Sequence, residues 1–276
     1  MTSTARLRGR PKSFDGKAAA RNTIQSLDGA LDVLDILSDS DGMTLTELSV
    51  KLSRSPSTIY RILNTFAKRS IVEIDAAVQT WHVGPTAFRL GSSFLRRSSI
   101  LERSRPVMRS LMEEIGETAN LGIEKSNSVL FISQVECLET IRAFFPPGTQ
   151  SPMHASGIGK ALLSLFPQDR LDKMLRGQTL EKFTDRTITD ADALRRDLKG
   201  IREKGFALDN EERTVGMRCI AAPIIDLHGE AVAGISVSGP TNRMTESRLE
   251  QISQLVREAA DTLSQNLGTA HKTTIT

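Results

Sequence analysis

Three short stretches of this sequence hold residues whose types suit chemistry on a small anion. In "DNEERTVGMRCIAAP", residues 209–223, Asp209 opens a carboxylate-rich run that leads to Cys219. In "HASGIGK", residues 154–160, Gly157 and Gly159 flank Ile158 at what reads as a helix start, so backbone N–H groups are open to a carboxylate or phosphate. The spacing is not that of a phosphate loop, so nucleotide binding has little support. In "AGISVSG", residues 233–239, strand alternation puts Ser236 and Ser238 on one face and Ile235 and Val237 on the other. Cys219 has three readings at this point: a nucleophile, a metal ligand, or the wall of a small-molecule pocket. The paired serines have two, a binding face or a packing surface of small residues.

The elements that must position these residues fill the C-terminal half. A helix opening at Pro106 buries Val107, Met108, Leu111, Met112 and Ile115. Strand-like runs follow at 118–125, 128–136 and 139–146, joined by hairpin-sized turns such as "KSNS", which implies antiparallel pairing. A Pro/Gly-rich loop leads into the helix "KALLSLF", and a further helix opens at Thr189 and closes at Gly205. Asp209 ends a short strand, Cys219 and Ser236–Ser238 sit on strands 217–226 and 231–238, and a long last helix aligns Leu249, Ile252, Leu255, Val256, Ala259, Leu263 and Leu267. The class is α+β, a sheet covered by helices on one side or both.

The N-terminal half reads differently. Ile24, Leu27, Leu31, Leu34 and Leu37 recur at helical spacing. Thr44 and Glu47 fit a capping box for a helix that buries Leu45, Leu48 and Leu52. After a short break Ser55 serves as N-cap and Pro56 as first residue of a second helix, with Ile59, Ile62, Leu63 and Phe66 inward. Two helices joined this way form a helix-turn-helix, whose second helix enters the major groove. Its outward residues are Ser57, Thr58, Tyr60, Arg61, Asn64 and Thr65, with Lys68 and Arg69 at its end and no acid among them. Hydroxyls and Arg suit phosphates, and Arg and Asn suit base edges. "IVEIDAAVQTWHVGP" supplies two short strands around a turn, a wing with Trp81 and His82 in its core.

Charge agrees with a polyanion partner. Residues 1–100 carry a net +5 and the remainder −2, and six of the basic residues lie in the first 21 positions. That tail, "RLRGRPK" included, reads either as a minor-groove arm or as a disordered solubilising segment. No apolar run approaches the roughly 18 residues of a membrane span, and the basic N-terminus has no apolar stretch behind it. Two cysteines far apart, Cys137 and Cys219, argue against a disulfide framework and for a reducing cytoplasm.

The combination of "SPSTIYRIL", "HASGIGKALLS", "DNEERTVGMRCIAAPI" and "GISVSGP" resembles the isocitrate-lyase-regulator (IclR-type) family of bacterial transcription regulators, from about Ile24 to Leu267. The resemblance implies a winged helix-turn-helix, a linker helix and a GAF-like effector-binding domain with an antiparallel sheet. It implies operator DNA as partner, dimers commonly paired into tetramers, and no enzyme activity. Within the family, Asp209, Cys219, Ser236 and Ser238 with the Gly157–Ile158 backbone resemble the pocket of glyoxylate- and pyruvate-responsive members, which include the repressors of acetate and of allantoin metabolism. The implied organisation is a basic tail over 1–22, the DNA-binding domain over 23–85, the linker helix over 86–104, the effector domain over 105–268 and a flexible end over 269–276. The implied DNA contacts are Ser55, Ser57, Thr58, Tyr60, Arg61, Asn64, Thr65 and Lys68.

For Cys219 the choice now narrows. A metal site needs three or four ligands, and no second Cys or His is near it in sequence; His154 and His228 join only through the fold. A nucleophile needs an activating base, and those same histidines are the candidates. A pocket wall is the expectation, with no metal and no cofactor. The competing readings are the same scaffold tuned to pyruvate or an aromatic acid, an enzyme using Cys219 and Asp209 with a DNA-binding appendage, and a protein-interaction module.

Overall fold

The computed structural model of the 276-residue chain describes residues 23–97, 99–177 and 179–269. The tail over 1–22 and all but the first residue of the 269–276 end lie outside the described residues. The chain divides into two compact units, Met1–Phe94 and Leu95–Thr276.

The first unit runs α1 (Gln25–Ser38), β1 (Met43–Thr44), α2 (Leu45–Lys51), α3 (Pro56–Ala67), β2 (Val72–Asp75) and β3 (Thr80–Val83), and α4 (Pro85–Arg97) begins in it. Both N-caps form as their residue types dictate. Thr44 and Glu47 exchange the two bonds of a capping box, and Ser55 accepts from the Thr58 N–H ahead of Pro56. Ile59 and Leu63 are wholly buried against Leu48, Val33 and Trp81, and β1, β3 and β2 form a three-stranded antiparallel wing. One expectation is corrected. The buried face of α1 is Gly29, Val33 and Leu37, and Ile24, Leu27 and Leu31 are exposed. Val33 and Leu37 join the core of this unit, and the Arg54 guanidinium lies against Gly29, where no Cβ fits, and pairs with Asp32.

The second unit begins with α5 (Ser99–Ile115), followed by β4 (Thr118–Lys125), β5 (Ser128–Val135), β6 (Gln150–Pro152), α6 (Gly157–Leu163), α7 (Gln168–Gly177), α8 (Ala191–Lys204), β7 (Ala207–Asn210), β8 (Met217–Ile225), β9 (Ala231–Pro240) and α9 (Glu246–Thr269). Its six strands form one antiparallel sheet in the order β6-β5-β4-β9-β8-β7. Ser126 and Asn127, both at positive φ, close the two-residue β4–β5 hairpin as a type I′ turn. Strand alternation then splits the sheet into two faces. Ala119, Leu121, Ile220, Ala222, Ile235 and Val237 pack under α5 and α9. Val129, Phe131, Ala207 and Ala221 pack under α6, α7 and α8.

Here too the sequence reading needs correction. Pro106 sits inside α5, which starts at Ser99. Residues 139–146 are not a strand: β5 pairs instead with β6 and with Gly148 and Thr149 just before it. Pro146 and Pro147 have no N–H to give a ladder, and Arg142 bends the segment by bonding Glu136 and the Glu139 carbonyl. The α7 helix, with Leu171, Met174 and Leu175 inward, had no counterpart in the expectations although its spacing is helical. The helix expected to open at Thr189 is capped by Asp190, whose carboxylate accepts from the Ala193 N–H.

Candidate functional site

The side chains pointing to the α6 face form two cross-strand rows. Thr118, Ser238, Cys219 and Asp209 are opposite one another across β4, β9, β8 and β7. One step along, Gln134, Asn120, Ser236, Ala221 and Ala207 make the second row. The start of α6 is clamped over both. A Cβ on Gly157 would be 2.8 Å from Cys219 Sγ, and Ile158 fills the space over Gly122 and Gly234, where added Cβ atoms would be 3.3 Å and 2.8 Å from it. Glycine at Gly157 and Gly234 thus leaves the room in which the helix approaches the sheet. All six residues expected in the pocket, Gly157, Ile158, Asp209, Cys219, Ser236 and Ser238, meet here.

The electrostatics of the site are those of a closed-in polar wall. Burial, and next the charge of Asp209, push the Cys219 thiol up to about 11; Ser238, Ser236 and the Gly157 N–H around the sulfur oppose this. At neutral pH the group is a thiol, which is a poor nucleophile. His154 is engaged with the Glu181 carbonyl at 2.9 Å, and His228 is exposed in the β8–β9 turn, so neither serves as a base for Cys219. Ser236 Oγ is wholly buried and makes no hydrogen bond to nitrogen or oxygen among the described residues. A hydroxyl buried in that state costs on the order of 1–3 kcal/mol until it finds a partner.

Asp209 also holds the backbone beyond its strand. Its Oδ1 accepts from the Glu212 N–H at 2.8 Å and so pins the turn that leaves β7. Burial raises its pKa, and bonds from the Glu212 and Arg213 N–H groups and the charge of Lys160 hold the rise down. Glu212 in turn bonds Lys160, a residue the sequence reading gave no role. Lys160 is 1% exposed, and its ammonium reaches the Leu208 carbonyl at 2.7 Å, Glu212 Oε1 at 2.6 Å and Asp197 Oδ2 at 3.0 Å. Burial works against its charge, yet Glu212 and Asp197 keep its pKa above the ordinary value. Two carboxylates and a carbonyl surround one ammonium, and burial lifts Glu212 to about 7. Lysine is normally a surface residue, so nothing in the "GIGK" spacing marked it as buried.

The outward face of α3 is also as the residue types suggest. Ser57, Thr58, Tyr60, Arg61, Thr65 and Lys68 are exposed, and Asn64 is half-buried. Ser55 is committed to capping, and Thr65 Oγ1 bonds the Arg61 carbonyl, so Tyr60, Arg61, Asn64 and Lys68 are the side chains free of such local bonds.

Comparison with known proteins gives concordant matches. Residues 92–265 match the family described as "Bacterial transcriptional regulator IclR C-terminal", and residues 26–76 match the "IclR helix-turn-helix domain". The chain is similar to the HTH-type transcriptional regulator BhcR of Paracoccus denitrificans, 58% identical over 266 residues, covering 96% of this chain and 95% of that one. It is 36% identical to the HTH-type transcriptional repressor AllR of Escherichia coli K12 over 264 residues, 95% and 97% of the two chains. The crystal structure of the Thermotoga maritima IclR superimposes with a TM-score of 0.72 at 29% identity, over 89% of this chain and 100% of that one.

Proposed function

The chain belongs to the IclR family of bacterial transcriptional regulators, and on that premise we propose that it senses a small 2-oxo acid, glyoxylate foremost. A DNA-binding helix-turn-helix domain and an effector-binding C-terminal domain make it a regulator and not an enzyme. The finer reading assigns operator contacts to Tyr60, Arg61, Asn64 and Lys68 with the hydroxyls of Ser57, Thr58 and Thr65. It assigns the effector to Gly157, Ile158, Asp209, Cys219, Ser236 and Ser238.

The observation that carries the ligand class is the meeting of Ser236, Ser238 and the Gly157 N–H at Cys219 on one small patch of sheet. Hydroxyl and N–H donors suit a carboxylate. Asp209 and Cys219 suit the aldehyde or hydrate end of the same molecule. Ile158, packed over Gly122 and Gly234, bounds the patch and favours a ligand of few atoms over an aromatic acid. At about −1.5 kcal/mol per heavy atom at best, such a ligand binds in the micromolar to millimolar range, which suits a metabolite sensor. Effector binding then acts by population shift, stabilising one of two states that differ in affinity for the operator. The molecule works in the cytoplasm as a dimer or tetramer on a partly palindromic site. Among the described residues no helix is long and apolar enough to cross a membrane.

Calorimetric titration of the full chain with glyoxylate, pyruvate and 4-hydroxybenzoate tests the ligand. Saturable binding of glyoxylate, weaker for pyruvate and absent for the aromatic acid, is expected. Binding of the aromatic acid alone refutes the assignment.

A further inference from the structure

Two side-chain amides in the sheet, Gln134 and Asn120, have no part in the contacts assigned above, and their hydrogen bonds lead to Ser238. Gln134 Nε2 donates to Asn120 Oδ1 at 3.0 Å, and Asn120 Nδ2 donates to Ser238 Oγ at 3.3 Å. Asn120 is wholly buried. An amide has one oxygen and one NH2, so with Gln134 Nε2 on its oxygen side Asn120 turns its NH2 to Ser238. Ser238 Oγ therefore accepts from Asn120, and its single proton is left to point away from the amide. On that side lie Cys219, the unpartnered Ser236 hydroxyl and the Gly157 N–H.

We propose that Asn120 and Gln134 are positioning residues that hold the Ser238 hydroxyl as a donor toward the pocket, and so select an oxyanion at that end of the ligand. The inference rests on the effector reading above and deepens it. Gln134 sets the Asn120 amide, Asn120 sets the hydroxyl, and the hydroxyl reads the acid. With Ser238 free to turn either way, the patch would accept an amide or alcohol as readily as a carboxylate. With it fixed, the patch is donor-rich and rewards negative charge.

Substitutions that invert the chain differ in effect from one that merely cuts it. In Asn120→Asp the new carboxylate accepts from both neighbours, so Ser238 must turn its proton toward it and show a lone pair to the pocket. In Gln134→Glu the new side chain accepts only, so the Asn120 amide rotates and presents its oxygen to Ser238, with the same result. In Gln134→Leu the clamp is removed without inversion. Glyoxylate affinity of the full chain is measured by calorimetry for all three and the unsubstituted protein, from about pH 8 to about pH 5.5, with operator binding as the check on folding. Asp209, Glu212 and Cys219 face the same region, so the variant-to-unsubstituted affinity ratio at each pH is the quantity read.

At the upper pH, Asn120→Asp and Gln134→Glu are expected to weaken binding about tenfold or more, and Gln134→Leu by less than about threefold. The two acidic variants recover as pH falls and their carboxyl regains a proton, which a purely structural defect would not do. Equal affinity in all four proteins, or a loss in Gln134→Leu as large as in Gln134→Glu, overturns the inference while the effector reading stands. If the unsubstituted protein binds operator but neither glyoxylate nor pyruvate, the effector reading fails and takes the inference with it.

Discussion

At the scale of the residue, the site depends on small side chains as much as on polar ones. A methyl group on Gly157 would be 2.8 Å from the Cys219 sulfur, so Gly157→Ala is expected to weaken the effector response at least about tenfold and leave operator affinity within about twofold. Calorimetry and fluorescence anisotropy on the same preparation check this. The Lys160 cluster makes a prediction of another kind. The folded-state pKa of Glu212, about 7, lies above its ordinary 4.5, so folding favours the protonated form. The stability this group contributes is complete below about pH 4.5 and is lost as pH rises through about 7. Urea unfolding from about pH 5 to about pH 7.5 should show the unsubstituted protein losing on the order of 1–3 kcal/mol relative to Glu212→Gln, and parallel curves would contradict the assignment. Asp209, Cys219, Ser236 and Ser238 stand out in the sequence as a Cys beside acids and as paired serines, and the sheet brings them together. Lys160, Glu212, Asn120 and Gln134 were not legible there, since their roles arise only from register: Asn120 meets Gln134 and Ser238 from strands 14 and 118 residues away.

At the scale of the element, caps and turns carried most of the legible information. Thr44 with Glu47, Ser55 with Pro56, Gly205 and the Ser126–Asn127 hairpin each end or start an element by local chemistry. Thr44→Ala should cost about 1 kcal/mol, seen as a lowered thermal midpoint of the full chain. Where elements are decided by distant partners, local reading failed. The apolar residues at 139–146 have strand character, yet β5 takes β6 as its neighbour. The leucine stripe on α1 reads as one apolar face, yet the residues it buries are Gly29, Val33 and Leu37. The exposed side of α3 yields a clean test: Arg61→Ala should remove specific operator binding while the melting temperature stays within about 2 °C, and lower the salt slope by about 1 if its contact is to phosphate. An unchanged operator affinity would show that α3 presents another set of residues to DNA.

At the scale of the whole molecule, the two units are coupled by thermodynamic necessity if the effector changes DNA affinity at all. Operator DNA must then change glyoxylate affinity by the same factor, and calorimetry with and without bound duplex measures both sides of that cycle. The charge asymmetry read from the sequence, +5 over residues 1–100 against −2 beyond, fits this division of labour. The most direct test of the central claim is fluorescence anisotropy of the full chain on duplex DNA from upstream of its own gene, titrated with glyoxylate and with pyruvate at fixed salt. Tight, sequence-specific binding that shifts with glyoxylate, and less with pyruvate, is the predicted result. Tight binding indifferent to both acids would contradict the pocket's ligand.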